Sequence, residues 1–187
     1  MEIIGKDEEI YLKEIDIDDA FDLRYWKLFE DERLRGYNYG NFTEIDSEIW
    51  YRNVKGFRKK YFAVRRIKDD RFIAFIGLKD INKIIKKSVL GIVFDPAFTS
   101  KGYGFKAMTI LLDYYFNDMK FYELYLEVND FNVRAKKLYE KLGFKKIGTS
   151  FEVFENQDVE IDGEFFVKRY NKVYSKISQM RIRKGER

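Results

Sequence analysis

The chain has 187 residues, 45% of them apolar and 18% aromatic, enough to bury one substantial core, while its 36% charged residues point to a wet, mixed-charge surface. It contains neither cysteine nor histidine, so disulfides, thiolate or Ser-His nucleophiles and ordinary zinc sites are excluded; chemistry falls to carboxylates, tyrosine, lysine, hydroxyls and backbone amides. The net charge of +4 is uneven: residues 168–187 hold eight basic residues and one acid, leaving a body of 28 basic and 31 acidic residues, which argues against a nucleic-acid-binding face on the fold.

No apolar run approaches the ~18 residues of a membrane span, the longest being Ile73 to Leu78, and the opening residues lack the basic region and apolar core of a secretory leader. A cytoplasmic location with no membrane partner is expected. One proline, Pro96, and the lack of any linker, repeat or low-complexity stretch predict a single domain over 1–187, monomeric or homodimeric. The stretch 172–187 reads from its charge as a basic, solvated C-terminal tail.

In chain order, Glu9 to Ile15 alternates as a strand, and Asp18 or Asp19 is placed to cap a helix carrying Ala20, Phe21, Leu23, Tyr25, Trp26 and Phe29. Ser47 to Arg58 reads as another short helix. Tyr61 to Arg66 and Arg71 to Leu78 form a hairpin turning at Lys68-Asp69-Asp70. Val89 to Phe94 is a nearly continuous apolar run, as in a strand buried on both faces, and Asp95-Pro96 stops it. From Gly102 the period becomes helical: Phe105, Met108, Leu111, Leu112, Tyr115, Phe116 and Met119 recur every three or four residues. Tyr122, Leu124, Leu126 and Val128 then alternate with Glu123, Tyr125 and Glu127 as a strand. The strand-helix-strand unit makes those two strands parallel, with a ligand crevice beyond their carboxyl ends. Asn132 caps a last helix whose inner face is Ala135, Leu138, Tyr139 and Leu142, ended by Gly143.

Lys101-Gly102-Tyr103-Gly104 is the most legible chemical feature. Its glycines let backbone amides approach an anion, and the helix start behind them supplies unpaired N–H groups and the positive end of a dipole. Alone, the turn also fits a plain strand-to-helix connection. Gly102 to Ala107 formally matches a dinucleotide fingerprint too, although Asp95 to Lys101 separates it from the strand farther than that motif allows.

Read together, Phe94-Asp95-Pro96-Ala97-Phe98-Thr99-Ser100-Lys101-Gly102-Tyr103-Gly104, Leu126-Glu127-Val128 and Asn132 to Phe144 resemble the GNAT family of acetyltransferases, especially its ribosomal-protein N-terminal acetyltransferase branch. The resemblance covers about Val89 to Gly148. It implies an α/β fold: a mixed sheet of six to seven strands flanked by about four helices, in which parallel strands 4 and 5 splay apart to admit the pantetheine arm of acetyl-CoA. Residues 89–148 would be the acetyl-CoA-binding core and 18–60 the substrate-side helices. The resemblance places the pyrophosphate on Thr99, Ser100, Lys101, Gly102, Tyr103 and Gly104, with Phe94, Asn132 and Tyr139 also touching the cofactor. Thr99 stands where the family has Arg or Gln, and Lys101 and Lys106 are candidates to replace that charge.

By the same resemblance Glu127 is the general base, Tyr139 the acid, and the backbone amides of Val93 and Phe94 the oxyanion donors. The implied activity is acetyl transfer from acetyl-CoA directly to a primary amine, a peptide or protein N-terminus or a small molecule, in a ternary complex and without a metal. Asp18, Asp19, Asp22, Glu30, Asp31 and Glu32, interleaved with aromatics, either attract a cationic amine or form a charged helix face. A non-catalytic acyl-CoA-binding or regulatory module, and a nucleotide or nucleic-acid binder using the tail, are the alternative readings.

Overall fold

The computed structural model describes residues 2–186. Two hairpins begin the sheet: β1 (Ile3–Lys6) with β2 (Ile10–Glu14), and β3 (Lys60–Arg66) with β4 (Arg71–Asn82). β5 (Lys87–Phe94) extends this antiparallel run, and after helix α3 (Tyr103–Asp113) β6 (Glu123–Asn129) lies parallel to β5. β7 (Lys145–Val153), β8 (Phe166–Arg169) and β9 (Lys172–Arg183) complete a nine-stranded sheet of order β1-β2-β3-β4-β5-β6-β9-β7, with β8 alongside β9. The remaining α-helices are α1 (Ile17–Asp22), α2 (Glu44–Val54) and α4 (Val133–Lys141).

Strand alternation sorts two cores. Phe62, Val64, Ile76, Leu78, Leu90, Leu124 and Leu126 pack with Met108, Leu111 and Leu112 of α3 and Tyr139 of α4. Tyr61, Ala63, Phe72 and Phe75 pack on the other face with Leu23, Trp26 and Val54. α3 and α4 therefore cover one side and α1 and α2 the other. Each fully buried Leu, Phe or Met contributes about 1.5–3 kcal/mol relative to exposure.

Three expectations change. The cap of α1 is Asp16, which accepts from the Asp19 amide while the Asp19 carboxylate accepts from the Asp16 amide, so Asp19 is the third helical residue and not the cap. This helix stops at Asp22 and, after one 3-10 turn over Leu23–Tyr25, the chain is extended at Trp26. The cause is tertiary: the Trp26 indole N–H donates to the Phe72 carbonyl at 3.0 Å and its ring stacks 5.9 Å from Phe75. Finally, the stretch read as a basic tail is β9. Val173, Ser175, Ile177, Met180 and Ile182 are buried, while outward Arg181 and Arg183 lie 3.9 and 2.8 Å from Glu123. Charge on one face masked a period-2 strand.

The sheet does not stay closed. The β5–β6 pairing runs from Lys87↔Glu123 to Leu90↔Leu126 and ends there. Beyond it, residues 91–94 remain paired with β4 and residues 127–129 with β9. The two parallel strands therefore part as expected, as the fifth and sixth strands of the chain, since β1 precedes those counted.

Asp95, fully buried just after β5, fixes the outgoing chain. Its carboxylate accepts from the Ala97 amide at 2.9 Å, the Lys27 amide at 3.1 Å and the Arg71 guanidinium at 3.1 Å. Asp95→Ala leaves these donors unmatched. It is expected to lower unfolding free energy by about 3 kcal/mol in chemical denaturation; a change within error would show that Asp95 does not anchor the turn.

Candidate functional site

Between the parted strands opens a cleft of about 860 Å³. Its walls are residues 89–94 of β5 and 127–129 of β6, and it continues past Thr99, Ser100, Gly102 and Gly104 to Asn132, Ala135 and Tyr139 of α4. The strand edges facing it are not paired with each other.

The turn after β5 is built by local chemistry. Asp95 caps the short 3-10 turn Pro96–Phe98, and the Thr99 hydroxyl donates to the Pro96 carbonyl at 2.9 Å. Ser100 (φ 59°) and Gly102 (φ 86°) take left-handed backbone, reversing the chain into α3. Gly102 is the helix cap and offers no side chain to the first amides of α3. These amides therefore remain available to an anion. At Gly104 a Cβ would lie 3.1 Å from a Leu138 methyl, so the small residue keeps α3 and α4 close where both border the cleft.

The two expected proton-transfer residues lie on opposite faces of the sheet but along the same cleft. Glu127 is exposed, with the Gln179 amide donating to it at 3.4 Å. It shares its face with Val93, which packs on the α1–α2 side. Tyr139 comes from the α3–α4 side and is 6% exposed; among the described residues its hydroxyl has no protein hydrogen-bond partner. Burial, then the nearby Tyr37, pushes that phenol above its ordinary value of 10.0, so it holds its proton at neutral pH. Asn132 caps α4, accepting from the Ala135 amide at 3.2 Å, and also lines the cleft.

Other candidates are not brought in. Lys106 faces away from the cleft and pairs with Glu9 at 2.8 Å and Asp7 at 3.7 Å, so it does not substitute for the charge absent at Thr99. Lys101 lies 5.4 Å from the Phe98 ring centre and Tyr103 packs 6.2 Å from the same ring; neither side chain belongs to the cleft wall. None of the six carboxylates between Asp18 and Glu32 lines the cleft either. Asp19 binds Lys13 and Arg65, Asp22 binds Arg65, Asp31 binds Arg33 and Glu32 reaches Arg35.

Several wall residues escaped the sequence reading. Arg134 and Lys141 of α4 border the cleft, Lys141 with its ammonium 4.6 Å from the Phe105 ring centre. Their spacing of seven residues, two helical turns along one face of α4, was the available signal. Asn129 also lines it, and its side-chain oxygen is buried without a partner. On the α1–α2 side, Tyr37, Tyr39 and Trp50, which belong to the aromatics interleaved in the 18–60 stretch, line the cleft with Tyr61 and Phe75 of β3 and β4, and edge-to-face contacts join Tyr39 to Trp50 and Phe75 and Trp50 to Tyr61. No sequence spacing links these five. Among the described residues no group of three or more Asp, Glu, His or Cys is gathered as for a metal, and no helix is long and apolar enough to cross a membrane.

Comparison with known proteins agrees with this geometry. Residues 9–145 match the model of the acetyltransferase (GNAT) domain family. The chain is 28% identical over 144 residues to the spermidine N(1)-acetyltransferase of Escherichia coli K12, covering 77% of this chain and 71% of that protein. It is 31% identical over 88 residues to the ribosomal protein bS18 alanine N-acetyltransferase of Haemophilus ducreyi, covering 47% and 59%. In fold it is similar to a spermidine N-acetyltransferase from Vibrio cholerae solved with CoA and spermine, with a TM-score of 0.72 at 19% identity over 96% of this chain and 98% of that one. With the family match spanning the split sheet, the glycine turn and α4, the chain belongs to the GNAT acetyltransferases and is an N-acetyltransferase that uses acetyl-CoA to acetylate a primary amine.

Proposed function

We propose that this chain transfers acetyl directly between substrates held on the two faces of the split sheet, with Glu127 as base and Tyr139 as acid. The observation that carries the reading is the parting of β5 and β6: Glu127 borders the cleft from one face, and the buried Tyr139, whose hydroxyl has no hydrogen-bond partner among the described residues, borders it from the other. With no cysteine in the chain, an acetyl-cysteine relay has no nucleophile.

The cleft fits acetyl-CoA on its own features. The uncapped amides of α3, with Ser100 and Gly102 shaping the turn, suit a pyrophosphate, and Arg134 and Lys141 add positive charge nearby. The unpaired strand edges and the orphaned Asn129 oxygen suit the amides of an extended arm, with Asn132 beside them. Acetyl-CoA, when bound, supplies the activated thioester.

The acceptor enters along the aromatic wall, which suits an apolar stem behind the amine. An alkylammonium has a pKa near 10.4, so a proton must leave before attack, and Glu127 is the only carboxylate in the cleft wall among the described residues. As the bond to sulfur breaks, Tyr139 gives its proton to the departing thiolate. Backbone amides stabilise the oxyanion. Here the strand register favours Phe94 over Val93. The Asp95 amide donates to the Ile73 carbonyl at 2.9 Å, and the 75↔93 rung lies in phase with that bond, so the Val93 amide belongs to the ladder with β4. Phe94 and, in phase with it, Ile92 turn toward the split.

Thiol release reports turnover without background from a protein lacking cysteine. Glu127→Gln and Tyr139→Phe are each expected to lower kcat about 100-fold while the Kd for acetyl-CoA stays within about twofold. Unchanged turnover in either variant removes that residue from the chemistry. Gly104→Val, which drives a branched side chain against Leu138, is expected to weaken acetyl-CoA binding about tenfold by calorimetry. Wild-type affinity there would contradict a cofactor path along the α3–α4 border.

A further inference from the structure

The acceptor end of the cleft is walled on the α1–α2 side by aromatic rings, and beside Glu127 its charged groups there are cations. Lys59 and Lys79 line it together with Asn53. Lys59 is partly engaged, donating to the Asn53 carbonyl at 2.8 Å at the end of α2. Lys79 has no carboxylate within 4.0 Å among the described residues. Nearby Asp80 is directed to Arg58, at 4.0 Å. On β4, Lys79 is opposite Val89, next to the last rungs of the β5–β6 pairing. Its ammonium lies 3.9 Å from the position a Cβ would take on Gly91, the first β5 residue beyond that pairing. A free cation thus lies across the strand where the sheet opens, on the face that carries Glu127 and Val93.

Most carboxylates of the 18–48 stretch are paired with cations outside the cleft wall, and Glu155, whose charge acts on Tyr37 and Tyr39, is not itself in the wall. Asp19 and Asp22 neutralise Lys13 and Arg65, Asp31 pairs with Arg33, and Glu32 lies 3.8 Å from Arg35. Glu44 and Glu48 pair with Arg24 and Arg52. What remains in the wall is Glu127, one acid for the one amine that reacts.

We infer that Lys79, supported by Lys59, selects an acceptor amine that carries an anionic group at the far end of its stem, and disfavours a second ammonium there. The inference rests on the acceptor path assigned above and names its substrate class: an amine paired with a carboxylate or another anion, in contrast to the polyamine in the name of the Escherichia coli relative. The amine meets Glu127, and the anion reaches Lys79, which stands over Gly91 across β5 from Glu127, with Tyr39, Trp50 and Phe75 bordering the same space. Selectivity by charge follows from attraction for one end group and repulsion of the other at the same place.

Three acceptors of matched length separate the possibilities: 6-aminohexanoate, 6-aminohexanamide and 1,6-diaminohexane, whose distal groups are negative, neutral and positive. At low ionic strength, kcat/KM for the wild-type enzyme is expected to fall in that order, with the carboxylate ahead of the diamine by at least about tenfold, and the gap should shrink as salt is added. Lys79→Ala should bring the carboxylate-to-diamine ratio toward one, and Lys79→Glu should invert it. A diamine used as well as the carboxylate by wild type, or an order untouched by Lys79→Glu, overturns the inference while leaving amine acetylation in place. If none of the three is acetylated and Glu127→Gln releases thiol as fast as wild type, the assigned acceptor path fails and the inference with it.

Discussion

Two parallel strands that pair for four rungs and then separate set everything else in this molecule. Between them the backbone polar groups that turn toward the gap, those of Ile92 and Phe94 on β5, have no partner across it on residues 127–129. An opening of this kind is costly unless each strand is held from its outer side, and here β4 holds β5 while β9 holds β6. The long β4 and β9, at 12 residues each, are thus the splints of the cleft. The core beneath continues across the gap because α3 and α4 pack on it together, through Met108, Leu111, Tyr139 and their neighbours.

The same arrangement decides where chemistry can happen. A residue on either strand alternates between the helical face and the acceptor face, so one opening is reached from both sides. Tyr139 depends on α4, and α4 is tied down at its start by Asp130. That buried carboxylate accepts from Lys136 at 2.8 Å and from the Ser178 hydroxyl on β9, with Lys176 at 3.7 Å. Burial pushes Asp130 up, yet Lys136 and Ser178 outweigh it and hold the group below its ordinary range. A lowered carboxyl stabilises the fold above its unfolded pKa, and this contribution is lost as pH falls through the folded value. The placement of Tyr139 is thereby linked to β9, the strand that charge alone read as a tail.

Charge is distributed with a similar division of labour. On the α1–α2 side, acids and bases neutralise one another in a buried network around Lys13, Asp19 and Arg65, which fastens α1 to the sheet. Fully buried ions gain stability only when paired in this way. The cleft keeps the unpaired groups: Arg134 and Lys141 along the cofactor side, Lys79 and Glu127 on the acceptor side.

The sequence by itself determined the local pieces. The strand at Val89–Phe94, the glycine turn, the helical period from Phe105 and the cap at Asn132 depend on near neighbours, and each is present with boundaries shifted by a residue or two. It also determined the chemical repertoire, since a chain without cysteine or histidine has only carboxylates, tyrosine, lysine, hydroxyls and backbone amides to work with. Only the tertiary structure decided which side chains share a space. Trp26 left its helical pattern to reach the Phe72 carbonyl, Lys106 turned to Glu9, and Asp19 and Asp22 were taken by Arg65 on β3. Lys79 came to lie over Gly91 because β4 and β5 are paired in one register and no other. Such pairings join residues far apart in the chain, so their free energy comes from burial and charge neutralisation across elements, and no local spacing encodes it.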